Sequence, residues 1–238
     1  MRKTLFFFFL LIPLFASEIN IAVAANVSYA IKDLVKTFNK IYPDIKVRVI
    51  LGSSGKLTAQ IQNNAPYDLF LSANMKYPDF LYKKGFAYTR PVVYAYGALA
   101  FVSFHKKISS INDLKKLKTI ALPNPKLAPY GKAAEEFLKN SGLKSKNIIY
   151  TQTITQALSY AISATDGAFI SKSALSSKNM KQYHFYSIEI PEKYYHLIKQ
   201  GMVLLLRAKN NKDAAAFFAF MLSKNAQKIL KQYGYSIK

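Results

Sequence analysis

Apolar and polar positions in the N-terminal part of the chain alternate between two spacings. Strands are predicted where apolar residues are continuous or recur every second position, and helices where they recur every third or fourth, as Ile31, Leu34 and Phe38 do before Pro43. The predicted elements are, in order, a strand at 18–25, a helix from 29, a strand at 46–50, a helix from 57 and a strand at 67–72. This β-α-β-α-β order predicts a parallel sheet with helices on its faces.

The same alternation returns later in the chain. The predicted elements there are strands at 118–122 and 167–171, helices at 131–139 and 153–164, and a C-terminal helical stretch at 212–233 that is interrupted near 223–225 and ended by Gly234. We therefore expect an α/β protein of two domains, each a mostly parallel sheet flanked by helices. The expected boundaries are 18–90 plus 202–238 for domain I and 91–201 for domain II.

The first residues have the order of a secretory signal peptide. Arg2 and Lys3 precede an apolar run at 5–15, and the small residues Ala16 and Ser17 follow it. The run is shorter than the roughly 20 residues that span a bilayer. We therefore expect residues 1–17 to be removed on export and the remaining protein to be periplasmic. Because the chain has no cysteine, we expect no lipid anchor.

Composition narrows the classes of partner. The chain has 34 Lys and Arg against 12 Asp and Glu, a formal charge of +22, and only three histidines. Such a charge favours an anionic partner, and export makes nucleic acid an improbable one. The absence of cysteine excludes disulfides, thiolate zinc sites and thiol catalysis.

Two junctions between a strand and a helix are rich in small polar residues. Residues 24–28 join the first strand to the first helix, and residues 52–55 join the second pair. In parallel α/β sheets ligands bind at the carboxyl ends of strands, where free backbone N–H groups and helix dipoles favour a small anion. Ordinary helix capping by Asn26, Ser28 or Ser54 explains the same residues equally well at this point.

Signals for catalysis are weak. Glu135 and Glu136 fall on a predicted exposed helix face, no Gly-x-Ser-x-Gly nucleophile motif is present, and Asp68 opens an apolar strand, where a structural hydrogen bond is expected. The adjacent Tyr194 and Tyr195 are candidates for binding ferric iron, although the chain has 17 tyrosines and a half-buried connecting segment is the simpler interpretation.

Four segments together resemble the family of periplasmic molybdate-binding proteins of ABC importers. They are Ile19-Asn-Ile-Ala-Val-Ala-Ala-Asn26, Gly52-Ser-Ser-Gly-Lys-Leu57, Asn64-Ala-Pro-Tyr-Asp-Leu-Phe-Leu-Ser-Ala73 and Tyr233-Gly-Tyr-Ser-Ile-Lys238. The resemblance implies a type II binding-protein fold, in which two domains joined by two crossing segments close on molybdate or tungstate. It also implies a monomer that is not an enzyme, has no cofactor, and delivers its ligand to a membrane permease.

The resemblance also implies four ligand-binding residues. Asn26 stands where most members have a serine and would donate through its amide, Ser54 would offer its hydroxyl and N–H, Tyr130 of Pro129-Tyr-Gly131 would face the ligand, and Ile154 would donate its backbone N–H. The metal of the oxyanion would be held through its oxygens, with no direct protein ligand. The tyrosine that many members contribute after the Gly-x-x strand is replaced by Ile170.

The expected ligand suits such a donor set. Molybdate and tungstate are dianions with acceptor oxygens and no proton, so N–H and O–H groups satisfy them without a countercharge. Three alternatives stay open: a ferric-ion carrier using Tyr194 and Tyr195, an exported hydrolase of anionic substrates, and a basic surface-binding protein.

Overall fold

The computed structural model describes residues 17–143 and 147–238, so nearly all of the predicted signal peptide lies outside the described residues. Ten strands form two five-stranded sheets in that part of the chain. The first sheet has the order β2-β1-β3-β10-β4. Its strands are β1 (Ser17–Ala24), β2 (Ile45–Gly52), β3 (Leu69–Ser72), β4 (Val92–Gly97) and β10 (Ile198–Leu204).

The second sheet repeats this arrangement with the order β7-β6-β8-β5-β9. Its strands are β5 (Leu99–Ser103), β6 (Thr119–Pro123), β7 (Asn147–Thr151), β8 (Gly167–Ser171) and β9 (Tyr186–Glu189). In each sheet three strands pair in parallel, and β10 or β5 runs antiparallel to both of its neighbours. Four of the five strands in each sheet thus point the same way, and the predicted two-unit α/β architecture is confirmed.

Eight α-helices in the described residues flank the sheets. They are α1 (Ser28–Ile41), α2 (Ser54–Gln62), α3 (Lys76–Lys83), α4 (Pro129–Asn140), α5 (Ile154–Ser163), α6 (Lys172–Leu175), α7 (Lys212–Met221) and α8 (Lys224–Gln232). The predicted break in the C-terminal helix is confirmed: Ser223 caps α8 by accepting a hydrogen bond from the N–H of Ala226 at 3.3 Å. No helix of the described chain has the length and apolarity needed to cross a membrane.

Each sheet has its own hydrophobic core, built by the apolar stripes of its helices. Helix α1 buries Leu34 and Phe38 completely, and the Phe38 ring meets Phe217 of α7 edge-on with ring centres 4.9 Å apart. In the second unit Phe101, Phe137 and Phe169 are fully buried around one another. Burial of these stripes supplies the main driving force for folding each unit.

The chain crosses between the sheets twice. The first crossing is at Ala98, between β4 and β5, and the second lies between β9 and β10. Both crossings therefore lie a few residues inside the predicted domain II limits of 91–201, because β4 and the beginning of β10 belong to the first sheet. Strand alternation could not show this, since it does not reveal which sheet an antiparallel strand joins.

Candidate anion-binding site

A small cavity of about 20 Å³ lies between the two sheets, at the carboxyl ends of their parallel strands. Its walls come from both units, and the lining residues are Ala24, Ala25, Asn26, Ser53, Ser54, Ala73, Ala128, Pro129, Tyr130 and Ile154. Nearly all of them are buried. Since a single water needs about 10–15 Å³ of such space, the cavity in this conformation is little larger than one water.

Four helical segments begin at this cavity. The 3-10 turn Ala25–Val27 precedes α1, while α2 begins at Ser54, α4 at Pro129 and α5 at Ile154. The first N–H groups of a helix have no intrahelical acceptor, and the helix dipole adds partial positive charge at the same end. Among the described residues, those that line the cavity carry no charged side chain. The site thus combines convergent donors with a positive potential, which suits an anion.

The Ser54 hydroxyl is oriented by a second segment of the first unit. Its oxygen accepts the N–H of Ala73 at 3.0 Å, and Ser54 is 1% exposed. That bond occupies a lone pair and leaves the hydroxyl proton available for a ligand in the cavity. The Thr58 hydroxyl donates to the Ser54 carbonyl at 2.8 Å and steadies the first turn of α2. The structure therefore brings Ser54 to the cavity as a hydroxyl donor.

Asn26 lies at the cavity, but its amide group is engaged elsewhere. Its Nδ2 donates to Gln200 Oε1 at 2.8 Å and to Tyr235 Oη at 2.9 Å, so both amide protons have acceptors behind the site. The expectation that this amide donates to the ligand therefore does not describe this conformation. What Asn26 offers the cavity is its backbone N–H in the first turn of the 3-10 helix. Sequence alone could not show this, because Gln200 and Tyr235 are distant in the chain.

Tyr130 lines the cavity from the second unit and is 2% exposed. Its hydroxyl lies against Gly97 at the end of β4, where a Cβ would collide with it. By distance and angle this hydroxyl has no well-formed hydrogen bond within the described chain, although polar groups of Asn26 and Tyr235 lie beside it. Burial raises the pKa of Tyr130 well above its usual value, so the group keeps its proton at neutral pH. A buried O–H without an acceptor is costly, and an anion in the cavity would supply one.

Ile154 lies at the cavity as the first residue of α5, and its apolar side chain is buried. Thr153 caps this helix by accepting the N–H of Gln156 at 3.2 Å, which leaves the N–H of Ile154 free of that cap. Ile170, the position of the missing family tyrosine, is fully buried in a different apolar cluster with Ala157 and Ala161. A side chain there faces helix α5 and is absent from the cavity lining.

Hydrogen bonds join the two units around the cavity. The N–H of Gly55 donates to the Leu127 carbonyl at 2.9 Å. The Tyr77 hydroxyl donates to the Lys126 carbonyl at 3.2 Å, and Ser173 Oγ on α6 donates to the carbonyl of Asn26 at 2.8 Å. These contacts hold the cleft closed. They were not predicted from the sequence, because two of the acceptors are backbone carbonyls in a loop without any motif.

Asp68 lies away from the cavity, at the opposite end of the first sheet. Its Oδ2 accepts the N–H of Asn20 at 2.7 Å, and its Oδ1 is 3.3 Å from Nε of Arg207. The carboxylate is therefore a structural hydrogen-bonding group, as expected from its place at the start of an apolar strand. Its role is to tie the start of β3 to β1 and to the segment after β10.

The adjacent tyrosines are also used structurally. Tyr195 is 6% exposed and its hydroxyl accepts the N–H of Leu99 at 3.1 Å, while the Tyr194 ring packs edge-on against Phe137 with centres 5.5 Å apart. Within residues 17–143 and 147–238, no three His, Cys, Asp or Glu side chains group closely enough to hold a metal ion. This arrangement does not favour the ferric-ion alternative.

Comparison with known proteins gives a consistent result over most of the chain. A family model for the bacterial extracellular solute-binding proteins matches residues 19–236. The chain is 35% identical over 237 residues to the molybdate-binding protein ModA of Azotobacter vinelandii, covering 94% of this chain and 91% of that protein. It is 30% identical to ModA of Rhodobacter capsulatus, covering 95% and 91%.

A solved structure extends the similarity to three dimensions. The periplasmic molybdate-binding protein of Azotobacter vinelandii superposes with a TM-score of 0.85, covering 92% of this chain and 99% of that chain at 28% identity. The superposition therefore extends over nearly all of both chains.

Proposed function

The chain belongs to the family of bacterial extracellular solute-binding proteins, and from that premise we propose that it captures molybdate between its two units. Tungstate has the same charge, shape and oxygen chemistry, so we include it in the proposal. The protein would work as a monomer in the periplasm, perform no catalysis, need no cofactor, and deliver the anion to the membrane permease of an ABC importer. Similarity to two molybdate-binding proteins supports this assignment.

The observation that carries the proposal is the convergence of four helical N-termini on one small, uncharged cavity. A tetrahedral dianion has four acceptor oxygens and no donor, and the cavity offers backbone N–H groups together with the hydroxyls of Ser54 and Tyr130. Charge-assisted hydrogen bonds and helix dipoles compensate for the water that the dianion loses. The excess of basic residues would attract anions at longer range without making specific contacts.

The same donor set favours molybdate over two common competitors. Monohydrogen phosphate carries a proton that needs an acceptor, and leaving it unpaired costs about 1–3 kcal/mol. Sulfate has no proton but shorter bonds, so the donors that fit molybdate would stand too far from its oxygens. Molybdate and tungstate should bind alike, because they differ in neither charge nor hydrogen-bonding pattern.

The alternative functions have less support. Tyr195 has its hydroxyl committed to Leu99, and its neighbour packs on Phe137. An exported hydrolase would need a nucleophile beside a base, and the lining of the cavity contains neither a carboxylate nor a histidine. A basic surface-binding protein would not need a buried cavity between two units.

Isothermal titration of the protein without its signal segment tests the proposal. Molybdate and tungstate should bind with one site per chain, sulfate and phosphate much more weakly, and ferric citrate not at all. Binding of sulfate or phosphate in preference to molybdate would refute the ligand assignment. Salt-dependent adsorption of all anions without saturation would support the surface-binding alternative instead.

Ser54→Ala locates the site within the protein. Losing one hydroxyl donor to a dianion should cost about 1.5–3 kcal/mol, or roughly one to two orders of magnitude in Kd. Ser177→Ala is the matched control, because Ser177 is 7% exposed, its hydroxyl has no hydrogen-bond partner among the described residues, and it does not line the cavity. Equal affinities in the two variants would place the ligand elsewhere.

A further inference from the structure

The C-terminal motif Tyr233-Gly-Tyr235 lies directly behind the candidate site, although none of its residues lines the cavity. Gly234 adopts a φ of 76°, a left-handed conformation that favours glycine and turns the chain sharply after α8. Ser236 then pairs with Tyr96 of β4 through two backbone hydrogen bonds of 2.8 and 2.9 Å. This turn directs the Tyr235 side chain into the interior, where it is 4% exposed.

The Tyr235 hydroxyl makes two hydrogen bonds to one residue of the site. It donates to the Asn26 carbonyl at 2.9 Å and accepts a proton from Asn26 Nδ2 at 2.9 Å. Two bonds from a single rigid side chain fix both the backbone and the side chain of Asn26. Burial raises the pKa of the Tyr235 hydroxyl, so it remains a donor at neutral pH.

The same Asn26 carbonyl also receives a donor from the second unit. Ser173 Oγ on α6 donates to it at 2.8 Å, and Ser173 Oγ lies 3.4 Å from Tyr235 Oη. Ser173 belongs to the segment after β8 of the second sheet, so its bond to Asn26 forms only when the two units are together. One carbonyl thus accepts one bond from its own unit and one from the other unit.

We propose that Tyr235 is a positioning residue for anion capture: it holds the 3-10 turn at Asn26 so that the N–H groups of this turn face the cavity, and Ser173 completes the arrangement on closure. The proposal rests on the function proposed above. It assigns a role in binding to the closing motif of the sequence, which the contacts in the cavity do not explain. Tyr233 of the same motif contacts α1, the helix that follows this turn, by donating to Asp33 Oδ2 at 2.8 Å.

Tyr235→Phe tests the proposal by removing one oxygen atom. We expect molybdate to bind about tenfold more weakly to this variant, with a cooperative thermal transition retained. The matched control is Tyr94→Phe, because Tyr94 is 3% exposed in the same core and its hydroxyl has no hydrogen-bond partner in the described structure. The control should bind within twofold of the unmodified protein. A Tyr235→Phe affinity within the same twofold range would overturn the proposal.

Ser173→Ala separates positioning from general stability and remains informative if Tyr235→Phe does not fold. We expect it to release molybdate several-fold faster, while the melting temperature of the ligand-free protein falls only slightly, through loss of the 2.8 Å bond between Ser173 Oγ and Ser171 Oγ within the second unit. Combined with Tyr235→Phe, it should weaken binding by less than the product of the two single effects, because both hydroxyls act on one carbonyl. An unchanged release rate, or effects that simply multiply, would count against the proposal.

A measurement without ligand distinguishes failure of this proposal from failure of the proposed function. The N–H of Ser28 bonds to the Ala25 carbonyl in the 3-10 turn, so its hydrogen exchange reports opening of that turn. In ligand-free protein, exchange should be about tenfold faster in Tyr235→Phe and unchanged in Tyr94→Phe. If no oxyanion binds the unmodified protein, the proposed function is wrong. If the N–H of Ser28 exchanges equally fast in the two variants, the positioning role of Tyr235 is wrong.

Discussion

Replacing Gly55 by alanine should separate the stability of the protein from its affinity for the anion. Gly55 is the second residue of α2, and its N–H donates across the cleft to the Leu127 carbonyl at 2.9 Å. A Cβ at this position would lie 3.0 Å from the Leu127 oxygen and 3.1 Å from the Leu127 Cα. Both distances are shorter than an ordinary van der Waals contact, which begins near 3.4 Å. The added methyl group would therefore push the two units apart.

The magnitude follows from the contacts that are lost. Overpacking by one methyl group typically costs about 1–3 kcal/mol, and a stretched backbone hydrogen bond adds about 0.5–1.5 kcal/mol. The contacting atoms of Leu127 belong to the backbone of the other unit and cannot move aside by a side-chain rotation. The nearby Tyr77 hydroxyl, 2.9 Å from the added Cβ, can do so because it is the end of a flexible side chain. The cost therefore falls mainly on the closed form and should raise Kd by roughly one to three orders of magnitude.

The open, ligand-free form should not be destabilised, because alanine is the better helix former by up to about 1 kcal/mol. Calorimetric melting and molybdate titration of Gly55→Ala should therefore show an equal or higher melting temperature together with weaker binding. Ala59→Gln, on the exposed face of the same helix, is the control and should leave affinity unchanged. Unaltered affinity of Gly55→Ala would refute the conclusion that the cleft closes to this distance around the ligand.

Three further outcomes are expected. Asp68→Asn should lower the melting temperature, because its carboxylate bonds Asn20 and Arg207 and losing such a bond costs about 1–3 kcal/mol. Molybdate titration of this variant should show unchanged affinity. Weaker binding at an unchanged melting temperature would contradict the structural role of Asp68. Gly97→Ala should reduce both stability and affinity, since its Cβ collides with the Tyr130 hydroxyl, and normal binding in this variant would show that this hydroxyl can move freely. Molybdate affinity measured between about pH 6 and pH 9 should be constant. Burial raises the pKa of Tyr130 above the usual value near 10, so its neutral hydroxyl is lost only at still higher pH. A decline in affinity within the range would indicate a titrating group at the site.

Much of the site could be predicted from the sequence because its contributions are local. A small polar residue after a strand and before a helix lies at the carboxyl end of that strand, whatever the rest of the chain does. That logic predicted the positions of Ser54 and Asn26, and the family resemblance added Tyr130 and Ile154, all of which line one cavity. Whether they bind an anion stays a prediction until titration tests it.

The chemical role of each residue depended on partners far along the chain. From the sequence the Asn26 amide is expected to be free to donate to a ligand, but in the structure it donates to Gln200 and Tyr235. The contact between Gly55 and Leu127 joins two backbone groups that no side-chain pattern marks. Likewise β10 and β4, which pair antiparallel with each other, were not predicted, because their place in a sheet depends on pairing with distant strands.

The sequence by itself determined the order of strands and helices, the two-unit α/β class and the loops that could meet an anion. These properties follow from the periodicity of apolar residues and from the backbone chemistry of helix termini, which act within a few residues. Only the tertiary structure decided which donors remain free, how small the cavity is and which bonds hold the cleft closed. Those properties arise when hydrogen-bonding groups from distant segments compete for the same partners in a buried space, and that competition cannot be read from local sequence.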